Sequence, residues 1–335
     1  MPYWYRPHRS HTKLPILFIH GIGIGLLPYV PFLRELAKQD PDVGFVAIEI
    51  MPISMHITAP PLASDTMCAA ITRVLNAHGL NRVVVAGHSY GTVVAAHLLR
   101  RQQSSTDRSS NLPTTTTTTT TPQRAAQQPE QAPREPRHAN DEGSGLSFVV
   151  AATLLIDPIP FLLHHPAIAY NFVYRQPRRA NEWQLWYFAS RDADIARALA
   201  RHFFWFESIL FREDVVLVSD ESERADAHAG EGRKEMRRPL PAAVSLSGCD
   251  QIVDARAVRA YLTGGEQEDP AGSPSRWAQD GLEVLYFPKL DHATVFDTRK
   301  DRAALLEILG RFVRLEEKSR GGSTDGETSG FVDAE

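Results

Sequence analysis

Residues 82–101 constrain the fold more tightly than any other stretch. Arg82-Val-Val-Val-Ala-Gly87 is apolar on both faces, which suits a strand inside a sheet covered on two sides. It runs at once into Gly87-His88-Ser89-Tyr90-Gly91, and a helix is expected from Tyr90 to about Arg101. A strand–turn–helix carrying Gly-x-Ser-x-Gly must turn sharply, and side chains two before and two after the serine would strike neighbouring backbone. Such a turn pushes Ser89 Oγ out of the sheet, while the new helix N-terminus favours developing negative charge. The alternative is a glycine-rich connection holding an ordinary serine. The setting favours a nucleophile.

The remaining elements repeat this alternation. Strands are expected at Pro15–Ile19, Phe45–Ile50, Phe148–Ile156, Ala242–Ser247 and Leu282–Phe287. Helices are expected at Pro28–Lys38, Pro61–His78, Asp254–Leu262 and Arg299–Leu315. Short apolar strands alternating with helices indicate an α/β fold with a mostly parallel sheet flanked by helices. Residues 1–101, 146–158 and 240–316 would form this core. Between them, residues 102–145 hold almost no large apolar side chain and include eight consecutive threonines, Thr114–Thr121. They read as a disordered low-complexity insert. Residues 159–239 read as a helical, aromatic-rich lid followed by a charged loop, and 317–335 as a disordered tail.

Composition narrows the function. A hydrophobic fraction of 43% excludes a wholly disordered chain, and a net charge of −4 gives no reason to expect nucleic-acid binding. Cys68 and Cys249 are too few for a disulfide scaffold and lack metal-ligand spacing. With no His-Glu-x-x-His, Cys-x-x-Cys or P-loop pattern, no cofactor and no metal are expected. No apolar run approaches the roughly 20 residues that span a bilayer, so a soluble, cytoplasmic protein is expected.

A serine hydroxyl needs a base, and the base an orienting acid. His292, in Leu290-Asp291-His292-Ala293, follows the last expected strand, and Asp250, in Gly248-Cys249-Asp250, follows the one before. Both fall at the carboxyl edge of the sheet. Asp157, in Leu155-Ile156-Asp157-Pro158, also ends a strand and is the alternative acid. Asp291 is expected to be a loop residue. The run His20-Gly21-Ile22-Gly23-Ile24-Gly25 reads as a loop whose N–H groups face a substrate carbonyl oxygen. A dinucleotide turn would need Gly or Ala at position 26, which is Leu26. His20 itself is expected to hold the loop rather than act as a base.

With these motifs the chain resembles the α/β-hydrolase superfamily, in its lipase- and esterase-like branch with a lid between the sixth and seventh strands. The resemblance covers roughly residues 14–101, 146–158 and 240–316. It implies Ser89 as nucleophile, His292 as base and Asp250 as acid, in the family's chain order. It also implies an oxyanion hole from the N–H groups of Tyr90 and Ile22, with Gly23 a substitute for Ile22. Only about thirteen residues precede the His-Gly strand, so the two antiparallel strands that open the family's sheet are expected to be missing or reduced, or the natural start lies upstream. The implied reaction is cleavage of a carboxylic ester through an acyl-serine. A non-catalytic binding protein on the same scaffold, or a carbon–carbon hydrolase or haloperoxidase-like enzyme, are the alternatives. The consecutive Phe203-Phe204-Trp205-Phe206 would point all round a helix. An apolar acyl or aromatic substrate is therefore expected, with Phe204 or Trp205 lining the entrance, and a lipid or membrane surface is a further expected contact.

Overall fold

A computed structural model describes residues 1–110, 146–216, 240–265 and 272–315. Eight strands form one sheet in the order β1-β3-β2-β4-β5-β6-β8-β7. The six inner strands β2 (Ile16–Ile19), β3 (Phe45–Ile48), β4 (Arg82–His88), β5 (Val149–Ile156), β6 (Ala242–Ser247) and β8 (Leu282–Phe287) are parallel. Two antiparallel edges close it: β1 (Tyr3–Arg6) on β3 and β7 (Ser275–Gln279) on β8. The opening of the sheet is thus reduced to one four-residue strand.

Both faces of the inner strands are dry because helices cover both. In β2 the side chains alternate: Leu17 and Ile19 lie in one buried cluster with Ile71 of α2 (Ser64–Ala77), Val94 of α3 (Tyr90–Ser110) and Val258 of α9 (Ala255–Thr263). Ile16 and Phe18 face α1 (Val30–Gln39) and α10 (Arg299–Phe312) through Phe32, Leu305 and Ile308. Full burial of a side chain like Phe18 contributes about 1.5–3 kcal/mol. The parallel pairing of the six inner strands puts all their carboxyl ends along one edge. The segments after β2, β4, β5, β6 and β8, which carry the candidate site residues, leave from that edge.

One expected boundary moves. Helix α3 does not stop at Arg101 but continues to Ser110, so residues 102–110 are helical rather than part of a disordered insert. The buried Gln102 explains it: its amide accepts from Val150 N (2.7 Å) and reaches Val150 O (3.3 Å), closing the start of β5. The rest of the expected insert, the charged loop from 217 to 239 and the tail lie outside the described residues.

Between β5 and β6 a layer of short helices crosses the carboxyl edge. It comprises α4 (Ala167–Ala169), extended by a π-helical turn at Tyr170–Tyr174, then α5 (Ala180–Leu185), extended likewise at Trp186–Ser190, then α6 (Ala193–His202), α7 (Trp205–Ser208) and α8 (Arg212–Val216). No helix among the described residues is long and apolar enough to cross a membrane.

Candidate active site

Ser89 occupies the turn between β4 and α3 with φ +50°, a left-handed conformation uncommon outside glycine. The neighbouring glycines make that turn feasible. A Cβ on Gly87 would lie 2.8 Å from Gly91 O, and one on Gly91 would enter the Ile19 carbonyl oxygen. Neither neighbour can move, since both are backbone. Strain of this kind persists only where the surroundings enforce it, and it lifts Ser89 above the sheet edge.

His292 meets Ser89 from the loop after β8. Its Nε2 lies 2.9 Å from Ser89 Oγ, and its Nδ1 lies 2.7 Å from Asp250 Oδ2. The other oxygen of Asp250 accepts from Ile252 N (2.7 Å) and Val253 N (2.9 Å), which locks the carboxylate's orientation. Ser89, His292 and Asp250, 203 and 42 residues apart along the two bonds, are therefore joined in one chain.

Asp157 approaches the same histidine without bonding it. Fully buried at the end of β5, it accepts from Ser247 N through Oδ1 and from Ala293 N through Oδ2, both at 2.9 Å. It ties β5, β6 and the His292 loop together. Ala293 needs such a tie, because it sits at φ +69°. Burial pushes the Asp157 carboxyl up to about 6; the Asp250 charge adds to that, while His292 and the two backbone N–H groups oppose it. Around His292, burial disfavours the charged ring, but Asp250, Asp157 and Asp291 outweigh it and raise the ring to about 9. Asp291 lies in the loop and accepts from Gln251 N and from the His292 N–H, which draws the acid and base loops together.

Asp157, Asp250 and His292 are also the one group among the described residues with metal-ligand spacing. Asp250 Oδ2 is bonded to His292 Nδ1, and both oxygens of Asp157 accept from backbone N–H groups.

The glycine loop follows β2. His20 is fully buried; Nδ1 donates to Gly21 O (2.7 Å) and Nε2 accepts from Ile50 N (2.9 Å), while burial lowers its pKa. It clamps the loop. The Gly23 N–H donates to Ile53 O (3.0 Å), so Gly23 cannot replace Ile22 as an oxyanion donor. The Ile22 N–H meets no carbonyl among the described residues, and Tyr90, first in α3, has no carbonyl partner within its own helix.

Two residues of this neighbourhood were not among the expected site residues. Tyr29 Oη accepts from Gly21 N (3.1 Å) and bonds His88 Nδ1 (2.7 Å), linking the glycine loop to the serine turn. His88 is buried among aromatic rings, and its Nε2 lies 3.9 Å from Asp157. Burial, with the charges of His292 and His20, holds it neutral. His88 lies inside the pentapeptide and could have been singled out there; nothing local marks Tyr29.

The aromatic run is placed differently from the expected single helix. Helix α6 ends at His202, and Phe203 and Phe204 are extended before α7 begins at Trp205. Phe203 turns inward, its ring 6.2 Å from that of Tyr90. Phe204 and Trp205 are about half exposed, at 47% and 51%.

Solved structures similar to this chain include an α/β-hydrolase family protein from Desulfitobacterium hafniense (12% identity, 92% of this chain and 100% of that one, TM-score 0.49). Others are a bacterial membrane phospholipase A described as a virulence factor (13%, 92% and 83%, 0.49) and a carboxylesterase structure from the thaumarchaeon Nitrososphaera gargenis (13%, 95% and 96%, 0.46). No curated protein matches the chain. The sequence model of one family does match, over residues 16–305, a span that runs from the first inner strand into the closing helix. The chain accordingly belongs to the alpha/beta hydrolase family.

Proposed function

We propose that the protein is a serine hydrolase that cleaves a carboxylic ester with an apolar acyl or aromatic part. The reading rests on one observation: the unbroken chain Ser89 Oγ, His292, Asp250, with bonds of 2.9 and 2.7 Å. Neutral His292 takes the Ser89 proton at Nε2 as Oγ attacks the carbonyl carbon, and Asp250 stabilises the imidazolium through Nδ1–H. The carbonyl oxygen gains the negative charge, which the N–H groups of Tyr90 and Ile22 would receive. Collapse breaks the ester C–O bond; His292 returns the proton to the leaving alkoxide, and the acyl group remains on Ser89. Water then attacks this acyl-serine, giving its proton to His292, and the acid departs as Ser89 recovers that proton.

A fluorophosphonate probe tests the assignment, because it reacts only with an activated serine. Labelling should occur in the native chain and vanish in Ser89→Ala. Label retained by that variant would overturn the reading.

A further inference from the structure

The helical layer over the site has two unlike sides. Its inner side bonds the acid and base loops: Asn171 donates to Ile252 O (3.0 Å), Gln251 to Asn181 O (3.3 Å), and Asn181 to Asp291. Its solvent-exposed side chains are largely aromatic. Tyr174 is 68% exposed, Tyr187 64% and Phe206 59%, and Tyr170, Trp183 and Trp205 are each more than half exposed. Monomeric soluble surfaces seldom gather large apolar side chains this densely without a partner.

The charges on this side select the partner. Within residues 164–211 the exposed cations are Arg178, Arg179, Arg191, Arg197 and Arg201, whereas Glu207 is the one exposed acid. The remaining acids are turned to structural use. Glu182 accepts from the N–H groups of Arg178 and Arg179, Asp192 caps α6 through the N–H groups of Asp194 and Ile195, and Asp194 is half-buried. A chain whose net charge is −4 thus presents five arginines among its exposed tyrosines and tryptophans. Tyrosine and tryptophan, with apolar rings and polar tips, favour the headgroup level of a bilayer, and arginine favours anionic headgroups.

We propose that the outer face of residues 164–211 is a peripheral docking surface for an anionic lipid bilayer. A neutral surface would make no use of the five arginines, and a protein partner would need acidic groups at matching positions. Docking uses neither Ser89 nor His292, so it stands or falls separately from the hydrolase reading.

Co-sedimentation of the full chain with phosphatidylglycerol–phosphatidylcholine vesicles, against pure phosphatidylcholine vesicles, tests it directly. Binding to the anionic vesicles should be strong at low salt and weak at high salt, with a blue shift of tryptophan emission. The triple variant Arg191→Gln/Arg197→Gln/Arg201→Gln and the pair Trp183→Ser/Tyr187→Ser should each weaken binding by about tenfold or more. Their thermal melts, and turnover of a soluble short-chain ester, show whether the variants are folded. Ser89→Ala should bind vesicles as the native chain does. Equal binding to neutral vesicles, or native-like binding by the folded arginine variant, would overturn the proposal. So would a dimer in solution that the Trp183/Tyr187 variant dissolves, since the face would then be covered by a second copy.

Discussion

Two carboxylates stand beside His292, and exchanging each for its amide separates their roles. In Asp250→Asn the backbone chooses the amide's orientation. Ile252 N and Val253 N both donate to the position now held by Oδ1, so the amide oxygen must stay there. The new NH2 group then faces His292 Nδ1, which becomes an acceptor and sends the ring proton to Nε2, toward Ser89. A ring protonated at Nε2 cannot take the serine proton. A wrong tautomer of this kind costs on the order of 10⁴ in turnover, or about 5.5 kcal/mol of barrier.

Asp157→Asn meets two N–H donors, Ser247 N and Ala293 N, and can satisfy only one with its single carbonyl oxygen. The orphaned donor costs about 1–3 kcal/mol of stability, partly offset because no buried carboxylate remains. Turnover should fall less than about tenfold, since the His292–Asp250 bond is untouched. Steady-state hydrolysis of p-nitrophenyl butyrate beside thermal melts followed by circular dichroism reads both effects. If a folded Asp157→Asn loses as much kcat/KM as Asp250→Asn, or more, the orienting acid is Asp157 and the assignment is wrong.

The other outcomes are more quickly stated. His292 must be neutral to act as base and its pKa is raised to about 9, so kcat/KM should climb with pH and level off above about 9. Asp157→Asn removes one of the raising charges and should move that midpoint to lower pH; a profile flat from neutral to alkaline pH contradicts both statements. Gln102→Ala orphans the buried Val150 N–H and should cost about 1–3 kcal/mol in urea unfolding. An unchanged midpoint would mean that the amide does not hold α3 against β5.

The inner sheet was legible because its strands are buried on both sides. Ala242–Ser247 and Leu282–Phe287 match their expected bounds to the residue, because each is a mostly apolar run of strand length. The edge strands β1 and β7 were not anticipated as strands. Tyr3-Trp-Tyr-Arg6 and Ser275-Arg-Trp-Ala-Gln279 are exposed or half-exposed, and their pairing is decided by the neighbouring strand rather than by their own pattern. For the site, position after a strand was enough to gather Ser89, Asp250 and His292 at one edge. Individual hydrogen bonds between distant residues were not readable in the same way. Neither the engagement of Gly23 N with Ile53 nor the bridge from Tyr29 to His88 leaves a spacing in the chain.

The aromatic run shows how a correct composition can carry a wrong geometry. On one continuous helix, Phe203 to Phe206 would spread around the axis, and choosing Phe204 or Trp205 as the entrance would be as good as any choice. The break after His202 changes this. Extended residues alternate sides, so Phe203 points in toward Tyr90 while Phe204 points out, and α7 is then held against α3 where Glu207 O accepts from Arg100 (2.7 Å). Tyr90 follows Ser89 directly, so on the proposed reading Phe203, whose ring meets that of Tyr90, is expected to contact an acyl group on Ser89. Phe203→Ala should therefore raise KM for octanoyl esters at least about tenfold while changing KM for acetyl esters little, because the lost apolar contact is reached only by the longer chain. The Phe204→Ala/Trp205→Ala pair should leave that ratio unchanged with soluble monomeric esters. A shift in the acyl-length ratio for the pair but not for Phe203→Ala would return the entrance to Phe204 and Trp205.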